Sequence, residues 1–350
     1  MRVTFVAYDD TPSLGGQGVM LAGMRDELTA RGVDVATISG RGEHAIRYPR
    51  VTHRAPLDLS LWLNRKPQLL RRREPDIVHA HGGPGGVLLL RALDVPLVYT
   101  AHHTYRQAYG RSSPRRVLDP LEARAYRRAA RVLAVSQSTA DALMAMRVAA
   151  DRIEVLPPGV HTNNDSVAQH EPGRMLFVGR LEPEKGALTA ARDVMLPLVG
   201  RRRGSTGVVV GDGRLRPQMR ALLRDEPSIA LLGRVDDDRL ASEYERARVL
   251  VMPSLYEGLG LVALEAQARG TPVVGYDVTG LRDAVRGGVL VPAGDVAALR
   301  ASTLRLLDDD ARWTELSESG RDFVRREHSW DVIGPRLLDI YESVVPAVRA

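Results

Sequence analysis

A repeated unit constrains this chain more than any other feature. A short apolar run ends in polar residues, a loop follows, and a stretch with helical spacing comes next. Arg2 to Tyr8 is the first such run. The loop after it carries Pro12, Gly15, Gly16 and Gly18, and Met20, Met24 and Leu28 then recur at helical spacing. Gly32 ends that helix, and Val33 to Ile38 reads as the next strand. Strand, loop, helix, strand is the unit of a parallel sheet, because parallel neighbours need a crossover, usually a helix. Asp76–His81, Pro96–His102, Arg131–Ser136 and Ile153–Leu156 continue the series.

The series halts at residues 157–172, PPGVHTNNDSVAQHEP, a proline-rich and polar stretch that reads as a linker. It then restarts with Met175–Val178, Thr206–Val210, Ile229–Leu232, Val249–Met252, Pro272–Gly275 and Val289–Val291. The expectation is an α/β chain of two doubly wound, Rossmann-like domains facing across a cleft. The first covers residues 1–160, the linker 161–172 and the second 173–328. The tail, 329–350, reads as a helix that packs back on the first domain. A length of 350 residues suits two such domains. Ligands of doubly wound sheets bind outside the carboxyl ends of the strands, which is where the polar residues fall.

Charge is unevenly spread. Residues 1–160 hold 23 Lys and Arg against 15 Asp and Glu, and the remainder holds 26 against 28. A basic half suits an anionic partner, and a solvated arginine-rich surface accounts for it as well. Aromatic residues are 5 % of the chain and no nucleic-acid motif appears, so nucleic acid is not an expected partner. There is no cysteine, which excludes disulfides and thiolate metal sites. No stretch approaches the ~20 apolar residues of a membrane span. A cytoplasmic setting is expected, with peripheral contact at an anionic inner membrane face left open. Only two lysines, Lys66 and Lys185, stand against 47 arginines, which draws attention to Lys185.

The chemistry concentrates in Val249 to Gly275, VLVMPSLYEGLGLVALEAQARGTPVVG. A strand ends at Pro253, a loop carries Glu257-Gly258-Leu259-Gly260-Leu261, and an alanine-rich helix runs to about Arg269. Gly258 and Gly260 let backbone N–H groups approach a ligand, at a helix N-terminus whose dipole attracts phosphate. Glu265 lies at most ~12 Å beyond Glu257 along the helix, about the span from a hexose past a diphosphate to a ribose. Each carboxylate can accept two hydrogen bonds from vicinal hydroxyls. A second segment, Phe177-Val-Gly-Arg-Leu-Glu-Pro-Glu-Lys-Gly186, places Arg180 and Lys185 after a strand end. Two fixed cations can neutralise a diphosphate as it leaves.

Taken together, FVGRLEPEKG, VVGDGRLRP, LLGRVDD, VMPSLYEGLGLVALEAQARGTPVV and VLVPAGD, with PSLGG, PDIVHAH and VLPPGV before them, resemble the retaining glycosyltransferases of family 4 on the GT-B fold. The resemblance covers nearly the whole chain. It implies transfer of a hexose-type sugar from a nucleotide-sugar donor, UDP-linked by frequency in the family, with no cofactor and no metal. It also implies that Arg180 and Lys185 hold the diphosphate, Glu265 the ribose and Glu257 the donor sugar. Backbone at Gly258, Leu259, Gly260 and Leu261 would meet sugar and phosphate, and the base would sit by Gly233 to Val235. Gly15 and Gly16 would close on the diphosphate, and His102 would stand near the sugar. Two positions depart from the family pattern, Pro158-Gly159 and His161.

Other polar groups read differently. His79 and His81 share one strand face, and with no third ligand at suitable spacing they read as structural or acceptor-side residues. His103 reads as structural. Asp236–Asp238 and Asp308–Asp310 read as caps rather than metal sites. The acceptor stays open among specialised metabolites, small molecules and lipid or cell-envelope precursors. Leu59 to Arg73 mixes Leu61, Trp62 and Leu63 with a cationic end, but Pro67 interrupts any single amphipathic helix. A sugar-nucleotide epimerase and a non-catalytic nucleotide-sugar-binding protein are the competing readings. A nicotinamide enzyme is disfavoured, because Gly15-Gly-Gln-Gly18 lacks the dinucleotide spacing.

Overall fold

Strand β1, Arg2–Asp9, is a near-continuous apolar run, and Phe5, Val6 and Ala7 are fully buried. Such a run needs cover on both faces, as in a parallel sheet flanked by helices. The helix Gly16–Ala30 returns the chain and buries Met20, Leu21, Met24 and Leu28. It ends where Gly32 takes φ +80° and Val33 N–H bonds back to Leu28 O, a cap that only glycine adopts without strain. β2, Asp34–Arg41, then pairs in parallel with β1.

The structure, a computed structural model, describes residues 1–11, 15–52, 54–84, 86–87, 94–108, 117–162 and 170–345. Part of the glycine loop, Pro12–Leu14, and most of the expected linker, 163–169, lie outside the described residues, as do 346–350. The chain divides into two compact units, one of Met1–Gly159 with Trp330–Ala350, the other of Val160–Ser329.

In the first unit β3 (Ile77–Gly82), β4 (Leu97–Ala101), β5 (Arg131–Ala134) and β6 (Ile153–Val155) complete a six-stranded sheet of order β2-β1-β3-β4-β5-β6. All the pairings are parallel. The helix Trp330–Val344 belongs to this unit. Its Trp330 ring lies so close to Gly23 and Gly159 that a Cβ on either would come within 2.4 Å of a ring atom. Tyr341 is fully buried and its hydroxyl meets His79 Nδ1 at 2.6 Å.

In the second unit β7 (Arg174–Val178), β8 (Thr206–Val210), β9 (Ile229–Gly233), β10 (Val249–Met252), β11 (Val273–Tyr276) and β12 (Gly288–Val291) form a parallel sheet of order β12-β11-β10-β7-β8-β9. Numbered within the unit, this is the 3-2-1-4-5-6 order of dinucleotide-binding sheets. The winding direction reverses between β7 and β10. The crevice outside the carboxyl ends at such a reversal is where ligands bind in doubly wound sheets.

The segment Leu59 to Arg73 falls on two helices, Ala55–Arg65 and Gln68–Arg71, parted at Pro67. Leu59, Leu63 and Leu70 are buried, and Leu61 stays exposed. Among the described residues no helix is long and apolar enough to cross a membrane. Each aspartate run supplies a helix N-cap, with Asp308 ending the helix before. Asp236 accepts from Arg239 N–H at 2.8 Å and Asp309 from Arg312 N–H at 2.9 Å.

Candidate active site

The loops after β7 and β10 flank the reversal point of the second sheet, and two close approaches lock them together. Gly186, at φ +68°, leaves no room for a Cβ, which would lie 2.2 Å from Pro253 O. Leu255 N–H bonds to Glu184 O at 2.9 Å. This seam delivers Lys185 to Glu257, with Nζ 2.7 Å from Oε1. Both side chains are largely withdrawn from solvent, at 21 % and 10 % exposure. Arg180 is not drawn into that pair. Its side chain is 52 % exposed and 3.7 Å from Glu184, so its guanidinium projects from the same loop without a tight partner in that contact.

Beyond Glu257 the chain turns through Gly258 and Leu259. Gly260, at φ +97°, starts the helix Leu261–Ala268. No side chain caps this N-terminus among the described residues. Its first N–H groups are therefore available to an anion, with the positive end of the helix behind them. Gly280 packs so tightly beneath the loop that a Cβ there would lie 2.4 Å from Glu257 O. Glu265 sits one turn inside the helix and accepts from Tyr244 Oη at 2.8 Å. Burial pushes the Glu265 carboxyl above its ordinary pKa, and the Tyr244 bond and the nearby Arg269 oppose that rise.

Gly233 ends β9 at φ +75°, with Val235 half-buried beyond it. A rung of backbone bonds joins the neighbouring strand ends. Gly211 N–H reaches Gly233 O at 2.7 Å, and Gly179 N–H reaches Val210 O at 3.1 Å. The Arg216 guanidinium lies over Gly233, and Asp212 Oδ2 holds it at 2.5 Å. The motif VVGDGRLRP contains Arg216 and Asp212, but their position over Gly233 depends on tertiary packing. Tyr244 was equally invisible as a partner of Glu265.

Gly15, Gly16 and His102 belong to the first unit. Gly15 precedes the helix Gly16–Ala30, and open space surrounds the position of its missing Cβ. His102 follows the end of β4 and is half-buried. Its Nε2 lies 2.9 Å from Nδ1 of His81, which is fully buried. Burial, followed by the neighbouring histidines His81 and His103, holds His102 well below the ordinary histidine range. His79, fully buried between Tyr341 and Thr100, is lowered to about 3, chiefly by burial. His79 and His81 are thus packed inside the sheet rather than presented as ligands. Among the described residues no group of three His, Asp or Glu side chains is arranged to hold a metal ion.

Two sequence families match along most of this length, described as Glycosyltransferase Family 4 over residues 14–164 and Glycosyl transferases group 1 over residues 172–309. The D-inositol 3-phosphate glycosyltransferase of Thermobispora bispora is 32 % identical over 309 residues, spanning 78 % of this chain and 72 % of that one. The chain belongs to glycosyltransferase family 4. A second relative, the 2-deoxystreptamine glucosyltransferase of Streptomyces kanamyceticus, is 32 % identical over 313 residues, spanning 80 % and 81 % of the two chains. Sucrose-phosphate synthase from Thermosynechococcus elongatus shares the fold. Its TM-score is 0.78 at 20 % identity, over 98 % of each chain. This family 4 member therefore has the GT-B architecture, two Rossmann-like units with six-stranded parallel sheets, and it is a transferase that uses a nucleotide sugar.

Proposed function

We propose that this family 4 enzyme transfers a hexose from a nucleoside diphosphate sugar, a UDP-sugar in the first instance, to a hydroxyl of a small polyhydroxylated ring, with retention at the anomeric carbon. The observation that carries this reading is the meeting of Lys185 with Glu257 beside the uncapped helix N-terminus at Gly260. One end of that arrangement suits a diphosphate, the other the hydroxyls of a hexose. Glu265, one turn further in, suits the ribose. Arg216 over Gly233 flanks the place proposed for the base.

Charge on the leaving diphosphate is neutralised by Arg180, Lys185 and the helix N-terminus, so the reaction has no need of a metal. In the proposed step the bond from the anomeric carbon to the phosphate oxygen breaks and the bond to the acceptor oxygen forms on the same face. The leaving phosphate takes the acceptor's proton. The protein contributes positioning and fixed charge rather than a nucleophile. Two relatives support the proposed acceptor class, because their names specify D-inositol 3-phosphate and 2-deoxystreptamine, both polyhydroxylated carbocycles.

The test is release of nucleoside diphosphate from UDP-glucose and related donors, with and without cyclitol and aminocyclitol acceptors and with EDTA present. Acceptor-dependent release and a product with the donor's anomeric configuration by NMR are expected. An inverted product, or turnover without any acceptor, would refute the reading.

A further inference from the structure

β3 and β4 run parallel with His81 opposite Thr100, so His81 and His102 reach the same edge of the first sheet. The buried His81 ring is stacked on His79, 5.1 Å between ring centres, and lies edge-on to Phe5 at 5.6 Å. Its Nδ1 faces His102 Nε2 at 2.9 Å. Its other nitrogen, Nε2, is buried with no hydrogen-bond partner among the described residues.

A bond between two neutral imidazoles needs one N–H and one lone pair. If His102 donated, His81 would carry its proton on Nε2, and a buried N–H would have no acceptor. If His81 donates, the orphan is only a lone pair. Buried N–H groups without partners are the rarer defect, and leaving one unmade is costly. A doubly protonated His81 would bury an unpaired charge as well.

We propose that His81 is a positioning residue that donates Nδ1–H to His102 Nε2 and thereby fixes His102 as the Nδ1–H tautomer, a hydrogen-bond donor and not a base. This rests on the proposed function only in that the reaction takes a proton from the acceptor. With its only lone pair already engaged, His102 offers no site for the acceptor's proton. That agrees with a leaving phosphate which takes it. His79 supports the arrangement from behind. Its two nitrogens are fixed by Tyr341 Oη at 2.6 Å and Thr100 Oγ1 at 2.8 Å, so the ring stacked on His81 cannot rotate freely.

The experiment is long-range 1H–15N correlation NMR on the full chain labelled with 15N-histidine, without ligand. Signals are assigned by their loss in His102→Gln and His81→Asn. Protons on Nδ1 of both His81 and His102 are expected. A His102 protonated on Nε2, or on both nitrogens, would overturn the proposal. His81→Asn places an amide N–H near the Nδ1 position and should keep the His102 tautomer. His81→Leu should shift His102 toward Nε2–H. A His102 that stays wholly Nδ1–H in His81→Leu would show that His81 does not set it. Should His81→Leu fail to fold, the wild-type and His81→Asn spectra still decide. No nucleotide is present, so this outcome is independent of whether the donor reading survives.

Discussion

Lys185 Nζ lies 2.7 Å from Glu257 Oε1 although 72 residues separate them in sequence. The two sit on opposite sides of the sheet's reversal point, and the Gly186–Pro253 approach holds them there. The pair does two things. It keeps a nearly buried carboxylate compensated, and it holds a compact cation at the position proposed for the diphosphate. Lys185→Ala should therefore lower kcat/KM by about 10²–10³, the usual loss for one electrostatic contact to a developing anion. It should also cost about 1–3 kcal/mol of stability, below the range for a fully buried pair. Glu257→Gln should weaken donor use by about tenfold or more. Because the residues touch, Lys185→Ala with Glu257→Gln should lose less than the sum of the two. Steady-state kinetics and denaturant unfolding of the four proteins check this.

Tyr244 should act through Glu265. Its hydroxyl, 2.8 Å away, favours the carboxylate that burial disfavours. Tyr244→Phe should raise the Glu265 pKa further, so nucleotide affinity should fail at a higher pH on acidification than in the wild type. At neutral pH UDP should bind several-fold to about tenfold more weakly. The loss should be smaller for 2′-deoxy-UDP, which lacks one of the hydroxyls Glu265 would hold. Calorimetric titration of both nucleotides against pH measures it.

Glu122 offers a test of stability against pH. It is fully buried on the helix Asp119–Arg128, and burial pushes its carboxyl up to about 8. Tyr105 N–H donates to it at 3.0 Å. The folded state thus holds a proton that the unfolded chain releases near the ordinary glutamate pKa of 4.5. Stability should fall as pH rises from about 4.5 to 8, by a few kcal/mol at most. Glu122→Gln keeps an acceptor for Tyr105 and should flatten this slope. Thermal unfolding from pH 5 to 8.5 reads the difference.

The helix Trp330–Val344 should carry measurable stability for the first unit. Trp330→Ala should cost about 3–5 kcal/mol, as for other buried tryptophans. Tyr341→Phe, which strips His79 Nδ1 of its partner, should cost about 1–3 kcal/mol. Denaturant unfolding compares both with the wild type.

Much of the fold was legible because strands in a parallel sheet are apolar on both faces. β8 and β10 begin and end where the apolar runs do, and β1 is longer by one residue, Asp9. The helix mouth at Gly258–Leu261 was legible from two glycines after a strand. Pairings across the chain were not. Lys185 with Glu257, Tyr244 with Glu265 and His81 with His102 depend on strand order and on which backbones approach closely. Neither is written in local periodicity. From sequence His81 reads as a structural or acceptor-side histidine on a strand face. Its bond to His102 needs the β3–β4 register.

The proposed nucleotide-sugar site is built on Lys185, Glu257 and Glu265. Thermal unfolding in the presence of UDP, GDP, ADP and dTDP, with and without EDTA, tests it most directly. A ligand at 100 times its dissociation constant adds about 2.7 kcal/mol, enough to see clearly in the midpoint. One nucleotide should stabilise the wild type with EDTA present and fail to stabilise Lys185→Ala and Glu265→Ala. Stabilisation that vanishes with EDTA, or that both variants retain in full, would contradict the account.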